Sequence, residues 1–480
     1  MLFNSLDFVL FFPLVVVLYF STPFRFRWGL LLAASYYFYA CWKLEYTLLL
    51  ALTTYIDYRV ALAMAAAESP LARRRWLYVS LASNLGMLFV FKYANFVGDN
   101  ARLLFERFDL FSDIPQFDLL LPVGISFYTF QALSYTIDVY RGRRQPERHL
   151  GIFALYISFF PQLVAGPIER SDKLIPQFKK QPEVSWLDVR QGGALILWGF
   201  FKKLVIADTI ALYVDAVYGD PALFSLAAFF AASYLFAYQI YCDFSGYSDI
   251  AVGTALIMGY RLSQNFNRPY AARTLAELWS RWHISLTTWI RDYCYQPLGR
   301  WMHSRRGMIA ATVMVSVAFG LWHGAAWHFV AYGLFAGLMT AIGHVSRDWR
   351  RHFNARLFPS DSRLHAAIQV LVVFHFAVAS LILFRVETMS DLALIGEKAW
   401  SGAWSGENQP RGFGWWEMGV ALAAILVLEA GQWLAAHRPD LATAWHGWPR
   451  AARWPIYYAL LFGILAFGEF GLRPFIYFQF

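Results

Sequence analysis

Apolar segments of membrane-spanning length recur along the whole chain and are separated by short polar loops. A helix needs about 20 predominantly apolar residues to cross a bilayer. The candidate spans are 2–20, 28–42, 46–66, 76–93, 119–137, 152–168, 193–217, 222–241, 246–260, 309–325, 328–344, 366–384, 415–435 and 456–472. Several of them are short or contain proline and glycine, so some are expected to be re-entrant. The pattern predicts an all-α, polytopic integral membrane protein with about eleven to fourteen transmembrane or re-entrant helices.

The arginine-rich loops indicate how the chain is oriented in the membrane. Between these loops lie even numbers of candidate spans, and the loops hold Arg25, Arg27, Arg73, Arg74, Arg75, Arg141, Arg143, Arg144, Arg148, Arg347, Arg350, Arg351 and Arg356. Positively charged loops remain in the cytoplasm, so all of these loops are predicted to be cytoplasmic. The first apolar segment lacks the basic region of a cleaved signal peptide, so we interpret it as a span. Because the loop that follows this span is cytoplasmic, the amino terminus is predicted to face outward, as is the loop 385–414.

The segment 261–306 departs from this pattern, because it contains no apolar run long enough to cross a membrane. It is rich in aromatic residues and has eight arginines, Arg261, Arg268, Arg273, Arg281, Arg291, Arg300, Arg305 and Arg306. Thr274, followed three residues later by Glu277, matches a capping box at a helix start. Four residues then repeat at near-helical spacing: Leu278, Trp282, Ser285 and Trp289. We predict an amphipathic or re-entrant helix here, packed into the protein at the cytoplasmic face.

Composition supports the membrane assignment and excludes several classes of function. The chain has 480 residues, of which 58% are hydrophobic and 15% charged, and its mean hydropathy is +0.41. In a typical soluble domain about a quarter of the residues are charged, so this chain lies outside that class. The net charge of +9 is accounted for by the cytoplasmic loops, so we expect no nucleic-acid partner. Cys41, Cys242 and Cys294 lie far apart, which favours neither a disulfide framework nor a zinc site.

Two histidines lie in the apolar stretch FGLWHGAAWHFVAYG, which covers residues 319–333. An ionisable side chain within a membrane is costly and is therefore a candidate functional residue. His323 follows Trp322, which can shield its ring, and precedes Gly324, which leaves room for a ligand or a neighbouring backbone. An imidazole is suited to accept a hydroxyl proton near neutral pH, although a core histidine bonded to a carbonyl is the alternative. On one continuous helix His328 would lie about 140° further round, so we interpret His328 as structural or interfacial.

A third histidine, His283, lies in ELWSRWHISLTTWIRDY. The flanking Arg281 and Arg291 are suited to a donor that carries phosphate, because a guanidinium binds phosphate in a bidentate manner. Trp282 and Trp289 would suit an apolar part of such a donor. The alternative, favoured by composition alone, is a basic aromatic helix that anchors at lipid headgroups.

Two carboxylates, Asp243 and Asp249, lie in YQIYCDFSGYSDIAVG at the predicted start of a span. They are candidates for a charge relay or a substrate site, but we favour ion pairs with arginines of the following segment. Histidines and carboxylates nowhere fall at metal-ligand spacing, so no metal site is predicted. The sequence also lacks a Walker loop, a Rossmann glycine pattern and a nucleophile elbow, which argues against an ATP-driven transporter or a serine hydrolase.

Several motifs in order resemble the membrane-bound O-acyltransferase family, and specifically its bacterial alginate O-acetyltransferase branch. These motifs are FNSLDFVLFFPLV, PVGISFYTFQALSYTIDVYRG, FFPQLVAGPIER, YCDFSGYSDIAVG, NFNRPYAARTLAELWSRWHISLTTWIRDYCYQPLG, GLWHGAAWHFVAYG, FHFAVASLILFR and the terminal PFIYFQF. Each motif is modest evidence, but the ordered set covers nearly the whole chain. The resemblance implies a ring of tilted helices around a central tunnel or funnel. Residues 1–360 would form the acyltransferase core, and residues 361–480 a carboxy-terminal transmembrane extension.

The resemblance also implies roles for single residues. The family's essential histidine, in a Trp-His-Gly motif, matches His323, and a second family position matches His283. Both are therefore expected to be catalytic. The expected substrate-binding or donor-binding residues are Arg281, Trp282, Arg291, Trp322, Asn267, Asp243 and Asp249. The acyl donor would be acetyl-CoA or an acyl-carrier thioester, with no bound cofactor.

The resemblance implies an enzyme of the bacterial inner membrane that passes an acetyl group from a cytosolic donor toward an exported, alginate-like polysaccharide. Periplasmic acetyltransferase or polysaccharide-modification subunits are the expected partners. Alternative acceptors are peptidoglycan, cellulose, another exopolysaccharide, or teichoic acid receiving D-alanine. A transporter without covalent chemistry would need charged residues spread through several spans, whereas here they concentrate near two histidines and one aromatic segment. A non-catalytic scaffold is the third alternative.

Overall fold

The structure is a computed structural model, and it describes residues 1–109, 113–302, 304–359, 362–402, 404–438, 447–471 and 473–478. Gln479 and Phe480 of the terminal motif, and the side chain of Arg300, lie outside this described part. Every regular element within the described residues is helical, and β pairing is limited there to one isolated bridge between Phe224 and Glu407. The predicted all-α class is confirmed.

The chain divides into two compact units. The first consists of residues 1–196 with 250–263, and the second of residues 197–249 with 264–480. The helices up to the crossover between the units are α1 (Leu6–Ser21), α2 (Phe24–Ala40), α3 (Leu44–Ala66), α4 (Pro70–Leu88), α5 (Ala94–Arg107), α6 (Ile125–Tyr140), α7 (Leu150–Ser158), α8 (Phe160–Leu163), α9 (Ser171–Lys179) and α10 (Trp186–Phe200). The predicted division at residue 360 into core and extension stays a prediction.

The remaining helices are α11 (Asp208–Gly219), α12 (Leu226–Ile257), α13 (Leu275–Arg281), α14 (Ile284–Ile290), α15 (Gln296–Trp301), α16 (Arg305–His323), α17 (Trp327–Val345), α18 (Arg347–Leu357), α19 (Arg363–Arg385), α20 (Met389–Ser401), α21 (Trp415–His437) and α22 (Arg450–Phe467). Wider π-helical turns cover Phe89–Tyr93, Phe201–Ala207 and Arg291–Tyr295. Short 3₁₀ turns cover Pro269–Ala271 and Ile476–Phe478.

Six helical stretches of the described chain are long and apolar enough to cross a membrane: Leu44–Ala66, Pro70–Arg107, Arg305–His323, Trp327–Val345, Arg363–Arg385 and Trp415–His437. Each contains the 18 or more residues that a bilayer requires. The prediction of a multi-span membrane protein is confirmed. The predicted span 2–20 corresponds to α1, whose 16 residues fall short of this length.

Buried polar residues stabilise the first unit between its apolar helices. Asp57 of α3 is fully buried and accepts hydrogen bonds from Ser80 and Asn84 of α4 at 2.7 to 3.0 Å. The helix α4 is capped by Ser69, whose side chain accepts a hydrogen bond from the backbone N–H of Ala72. Pro70 is the first residue of the helix. Proline is tolerated there because that N–H has no partner within the helix. A buried carboxylate is retained when several donors compensate for its lost hydration.

The helix α12 differs from the prediction. The segments 222–241 and 246–260 were expected to be separate spans, but Leu226–Ile257 is one helix of 32 residues. The intervening residues 242–245 contain no proline or glycine that would end a helix. Their polar side chains are satisfied by lysines within the second unit, so the helix continues through them.

The hairpin of α16 and α17 is held together by small residues. A Cβ atom added to Gly320 would come within 2.0 Å of the Phe329 carbonyl oxygen, and one added to Gly333 within 2.4 Å of the Ser316 carbonyl oxygen. Small residues allow helices in a membrane to approach so closely that backbone meets backbone. This tight hairpin determines where the carboxyl end of α16, with His323, is placed.

Candidate functional site

The predicted amphipathic helix is broken at His283. Instead of one helix, the segment forms α13 and α14, and His283 between them adopts the left-handed backbone conformation with φ 42° and ψ 56°. A residue with a Cβ atom rarely adopts this conformation, so the break has a cost that the surrounding structure must offset. The periodicity of Leu278, Trp282, Ser285 and Trp289 was therefore misleading, because it joins two helices.

The capping of α13 is also only partly as predicted. The Thr274 side chain accepts a hydrogen bond from the Glu277 N–H at 3.1 Å, as in a capping box. The Glu277 carboxylate does not return to Thr274 but accepts from the Arg273 N–H at 2.7 Å. The start of the helix at this threonine is nevertheless confirmed.

Asn265 holds the break in place. Its carbonyl oxygen accepts from the Ile284 N–H at 2.8 Å, and its side-chain oxygen accepts from the Ser285 hydroxyl at 2.6 Å. Its amide nitrogen donates to the Ser248 hydroxyl of α12 at 3.1 Å. Asn265 is 1% exposed. Sequence reasoning missed this residue, because a lone asparagine in a loop carries no signal of the contacts it will make.

His323 is the last residue of α16, and the chain then runs extended through Gly324 before α17 begins at Trp327. His323 and His328 therefore lie on different helices, and the prediction from one continuous helix was wrong. The His323 ring is buried among aromatic rings, with centroid distances of 4.9 Å to Trp322, 5.2 Å to Phe384 and 5.5 Å to Tyr477.

His283 lies in the same aromatic environment. Its ring centroid is 4.5 Å from that of Phe244, 6.3 Å from Tyr477 and 6.4 Å from Trp322. Trp322 and Tyr477 thus contact both histidines, which brings the two predicted catalytic residues together. Burial, and then the proximity of His323, hold the pKa of His283 well below its ordinary value. At neutral pH this imidazole is therefore uncharged, with one ring nitrogen that donates a hydrogen bond and one that accepts.

Tyr477 comes from the carboxy-terminal end of the chain, on the short 3₁₀ turn Ile476–Phe478. The backbone N–H of Ile476 donates to the Asp243 carboxylate at 2.7 Å, which anchors this turn to α12. The aromatic terminal motif was part of the family resemblance, but the sequence did not indicate that one of its rings would meet both histidines.

The ion pairs predicted for the two aspartates involve different partners. Asp243 pairs with Lys203 at 2.6 Å and Asp249 with Lys202 at 2.7 Å, so the expectation of arginines from the following segment was wrong. Both lysines lie on the π-helical turn Phe201–Ala207, some forty residues earlier in the chain. Only the fold brings them to α12, which is why spacing along the sequence could not identify them.

The predicted donor-binding arginines have carboxylate partners of their own. Arg281 pairs with Glu277 of the same helix, and Arg291 pairs with the adjacent Asp292 at 2.9 Å. The Arg291 side chain is 58% exposed. Trp282 packs against Phe266 at 5.1 Å between ring centroids, and Asn267 uses its backbone N–H to bond the Arg281 carbonyl. A role of these four residues toward a donor stays a prediction.

His328 is placed away from the paired rings. Its Nδ1 lies 3.2 Å from the carbonyl oxygen of Leu383, and its ring packs on Phe329 at 4.1 Å. Gly324 leaves room for that same Phe329 ring, since an added Cβ would lie 1.9 Å from it. The space beside Gly324 is thus filled by the protein and not by a ligand.

An apolar cavity of about 30 Å³ adjoins His323 through rings that contact it. Its lining consists of Ile240, Tyr270, Leu278, Trp279, Trp282, Tyr332, Ala377, Ser380, Leu381, Phe384 and Tyr477. A volume of this order admits roughly one or two water-sized groups. Within the described residues, no cluster of three or more histidine, cysteine or carboxylate side chains is arranged to hold a metal ion.

Comparison with known proteins identifies the family. The profile of "MBOAT, membrane-bound O-acyltransferase family" matches residues 149–385. The chain is 39% identical to the "Probable alginate O-acetylase AlgI" of Azotobacter vinelandii over 72% of this chain and 69% of that protein. It is 36% identical to the protein of the same name from Pseudomonas aeruginosa over 89% and 81% of the two chains. The chain belongs to the membrane-bound O-acyltransferase family.

More distant relatives in the membrane-bound O-acyltransferase family differ in their named acceptors. The "Peptidoglycan O-acetyltransferase" of Helicobacter pylori is 30% identical over 75% of this chain and 71% of its own length. The predictions of the family, of an alginate O-acetyltransferase-like relationship and of an O-acyltransferase activity are confirmed. The matched region 149–385 includes both His283 and His323, whereas Tyr477 lies beyond it.

Proposed function

We propose that this membrane-bound O-acyltransferase transfers an acetyl group from a cytosolic thioester toward an exported polysaccharide. The observation that carries the proposal is the convergence of two buried histidines on Tyr477, beside a small apolar cavity. The apolar lining of this cavity suits the methyl group of an acetyl moiety.

In the proposed reaction His323 accepts the proton of an acceptor hydroxyl as the hydroxyl oxygen attacks the thioester carbonyl. The new C–O bond forms, the C–S bond breaks, and the departing thiolate receives the proton. A thioester is already activated, so positioning and one base are a sufficient apparatus. The neutral His283 would donate a hydrogen bond to the developing oxyanion or orient the donor. The donor would be acetyl-CoA or an acyl-carrier thioester.

The relatives support a polysaccharide acceptor, since the Azotobacter and Pseudomonas proteins are named for alginate. Peptidoglycan is the second candidate acceptor, because the Helicobacter relative is named for it. We place the enzyme in the bacterial inner membrane with its amino terminus and the loop 385–414 facing the periplasm. A periplasmic acetyltransferase or polysaccharide-modification subunit would receive the acyl group or act beside this protein.

The proposal is tested by complementing a deletion strain and measuring the O-acetyl content of its exported polysaccharide. Wild type should restore acetylation, and His323→Ala should not, although it is inserted at the same level. His328→Ala is the matched control, because it changes a nearby buried histidine that contacts neither Tyr477 nor His283 in the described structure, and it should restore acetylation.

Each alternative has its own outcome. Full acetylation by His323→Ala would remove this residue from the catalytic role. Unchanged polysaccharide acetylation in the deletion strain, with loss of O-acetyl groups from peptidoglycan, would transfer the function to the second acceptor. If neither polymer changes, the acetyl-transfer proposal is wrong and a transporter or scaffold is indicated.

A further inference from the structure

The helix α18 (Arg347–Leu357) is an exposed element of the second unit. None of its residues is buried. Three of them are nevertheless large and apolar: Trp349, Phe353 and Leu357 are 66%, 48% and 56% exposed. Transfer of such side chains out of water is favourable, so an exposed apolar surface of this kind marks an interaction site. The reaction proposed above uses none of these residues.

The three apolar residues form one strip along α18, termed here the apolar strip. Successive helical residues are rotated by about 100°, so positions four apart differ by only about 40°. The rings of Trp349 and Phe353 stack at 5.3 Å between centroids. Apart from Ala355, the other residues of the helix are polar or charged. A helix with an apolar strip and a basic remainder is typical of those that lie in a membrane interface.

Arginines flank the apolar strip on both sides. By the same rotation, Arg350 and Arg356 lie about 20° beyond its two edges. Arg350 donates to the Gly343 carbonyl at 2.6 Å and to the Ser346 hydroxyl at 3.1 Å. Arg351 and Arg356 are exposed, and their side chains form no ion pair or hydrogen bond with the part of the chain that the structure describes. Side chains of this length can cover apolar surface while their charged ends reach a polar layer.

The charge around the apolar strip is positive. The helix α18 carries four arginines and one aspartate, Asp348, which gives a formal charge of +3. Asp348 lies 3.7 Å from Arg347, and both side chains are exposed, so water weakens their attraction. The start of α16 adds Arg305 and Arg306, and the Arg305 guanidinium donates to the Val345 carbonyl at 3.4 Å. An anionic partner is therefore favoured at this end of the hairpin of α16 and α17.

The position of α18 next to a span indicates that this partner is lipid. The helix α17 is one of the six described stretches of membrane-spanning length and ends at Val345, with Ser346 alone between it and α18. A surface that begins where a span ends lies near the lipid headgroups. An anionic phospholipid supplies phosphate for the arginines and acyl chains for the apolar strip. A soluble phosphate compound would leave the strip uncovered.

We propose that α18 lies in the membrane interface and binds anionic phospholipid. The phosphates contact Arg350, Arg351 and Arg356, and the acyl chains cover the apolar strip. Attraction to an anionic leaflet grows with each basic residue near its surface. Such a surface fits the cytoplasmic side predicted for the arginine-rich loop that contains α18. Lipid binding here does not depend on acetyl transfer.

Photoreactive phosphatidylglycerol and phosphatidylcholine locate the site in the full-length wild-type protein, each added at trace level to phosphatidylcholine nanodiscs. We expect phosphatidylglycerol to crosslink to residues 345–357 about tenfold more than phosphatidylcholine does. At constant ionic strength, added acetyl-CoA or inorganic phosphate should leave these crosslinks unchanged. Their loss would assign the arginines to a soluble phosphate compound, and equal crosslinking of both lipids would overturn the preference for negative charge.

The double variant Arg351→Gln/Arg356→Gln tests the contribution of charge. It should lose most of the lipid preference, since two cations near the lipid surface are removed. The matched control, Arg351→Lys/Arg356→Lys, keeps both charges and should retain the preference. Both positions are exposed, so neither variant removes a buried side chain. Equal lipid preferences of the two double variants would exclude these arginines from the site.

Cysteine labelling tests the apolar strip. In a protein whose native cysteines are replaced by serine, Phe353→Cys and Ala355→Cys lie about 160° apart on α18. In nanodiscs that contain phosphatidylglycerol, a membrane-impermeant maleimide should modify Ala355→Cys roughly tenfold faster than Phe353→Cys. Equal rates would show that water covers the strip and would overturn the proposal. Protection of Phe353→Cys in cells alone would indicate a protein partner in place of lipid.

Discussion

The left-handed backbone at His283 is the most unusual single-residue feature near the paired histidines. Holding a residue that has a Cβ atom in this conformation costs on the order of 1–3 kcal/mol. Here the Asn265 hydrogen bonds to Ile284 and Ser285 offset that cost. With this break, the His283 ring lies against Phe244 and Tyr477.

We therefore predict that Asn265→Ala impairs catalysis without preventing insertion. The substitution leaves the hydroxyls of Ser285 and Ser248 without these partners and should destabilise the break by about 1–3 kcal/mol. Acetyl transfer should fall roughly tenfold to a hundredfold, which acetylation of the polymer measures against protein level. Asn100→Ala, which removes a side-chain bond to Phe96 in the first unit, is the control. Equal activities of the two variants would contradict a positioning role for Asn265.

The depressed pKa of His283 has a consequence for stability. An unfolded histidine takes up a proton as the pH falls through about 6.5, whereas the buried His283 does not. The unfolded state then binds more protons, and stability falls by up to about 1.4 kcal/mol per pH unit below that value. Stability should be fully retained above pH 7.

His283→Gln removes this titration, so its Tm should fall less between pH 7 and pH 5 than the Tm of the wild type. Thermal unfolding in nanodiscs at a series of pH values checks the difference. Parallel curves for the two proteins would show that His283 does not resist protonation in the folded state.

At the scale of elements, the π-helical turn Phe201–Ala207 supplies the lysines that pair with three carboxylates of the second unit. It presents two adjacent lysines to different carboxylates, with Lys202 bound to Asp249 and Lys203 to Asp208 and Asp243. Wider turns of this kind often occur at functional sites, because they reorient side chains within an otherwise regular helix. Through Asp243, the turn is also connected to the backbone of Ile476.

We predict that Lys203→Met is much more destabilising than Lys202→Met. Loss of Lys203 leaves two buried carboxylates without their cation, at a cost of about 3–5 kcal/mol. The Asp249 side chain is 27% exposed, so water can solvate it when Lys202 is removed. Thermal unfolding of the two variants measures the difference. Equal losses of stability would mean that burial of the carboxylates does not determine the cost.

At the scale of the whole molecule, the last described residues belong to the candidate site. Arg473 pairs with Asp215, the Ile476 N–H bonds Asp243, and Tyr477 contacts both histidines. The carboxy-terminal region therefore contributes to the surroundings of the histidine pair, although the family profile ends at residue 385.

A truncation after Gly471 should thus be inserted in the membrane but inactive. It removes Tyr477, which contacts both histidines, while leaving the six long apolar helices intact. Tyr477→Phe, which keeps the ring, should retain acetylation within a few-fold. Polymer acetylation, normalised to membrane protein level, measures both. An active truncation would show that the terminal segment is dispensable for catalysis.

Local patterns predicted the elements well where one physical cause acts over a short range. The start of α13 at Thr274 follows from a side chain that reaches an N–H three residues on. The long apolar helices follow from the cost of exposing backbone polar groups to lipid. The pattern failed at α12, where polar residues suggested a break, and at His283, where periodicity suggested none. In both places a partner from a distant segment overrides the local preference.

The sequence by itself determined that this is a helical membrane protein, that it belongs to the membrane-bound O-acyltransferase family and that His283 and His323 are its candidate catalytic residues. These conclusions depend on composition, on short-range periodicity and on motifs that are contiguous in the chain. Only the tertiary structure decided that Lys203 pairs with Asp243, that Asn265 holds the break and that Tyr477 lies against both histidines. Each of these contacts joins residues far apart in the chain, and their meeting depends on the packing of whole helices, which no local pattern encodes.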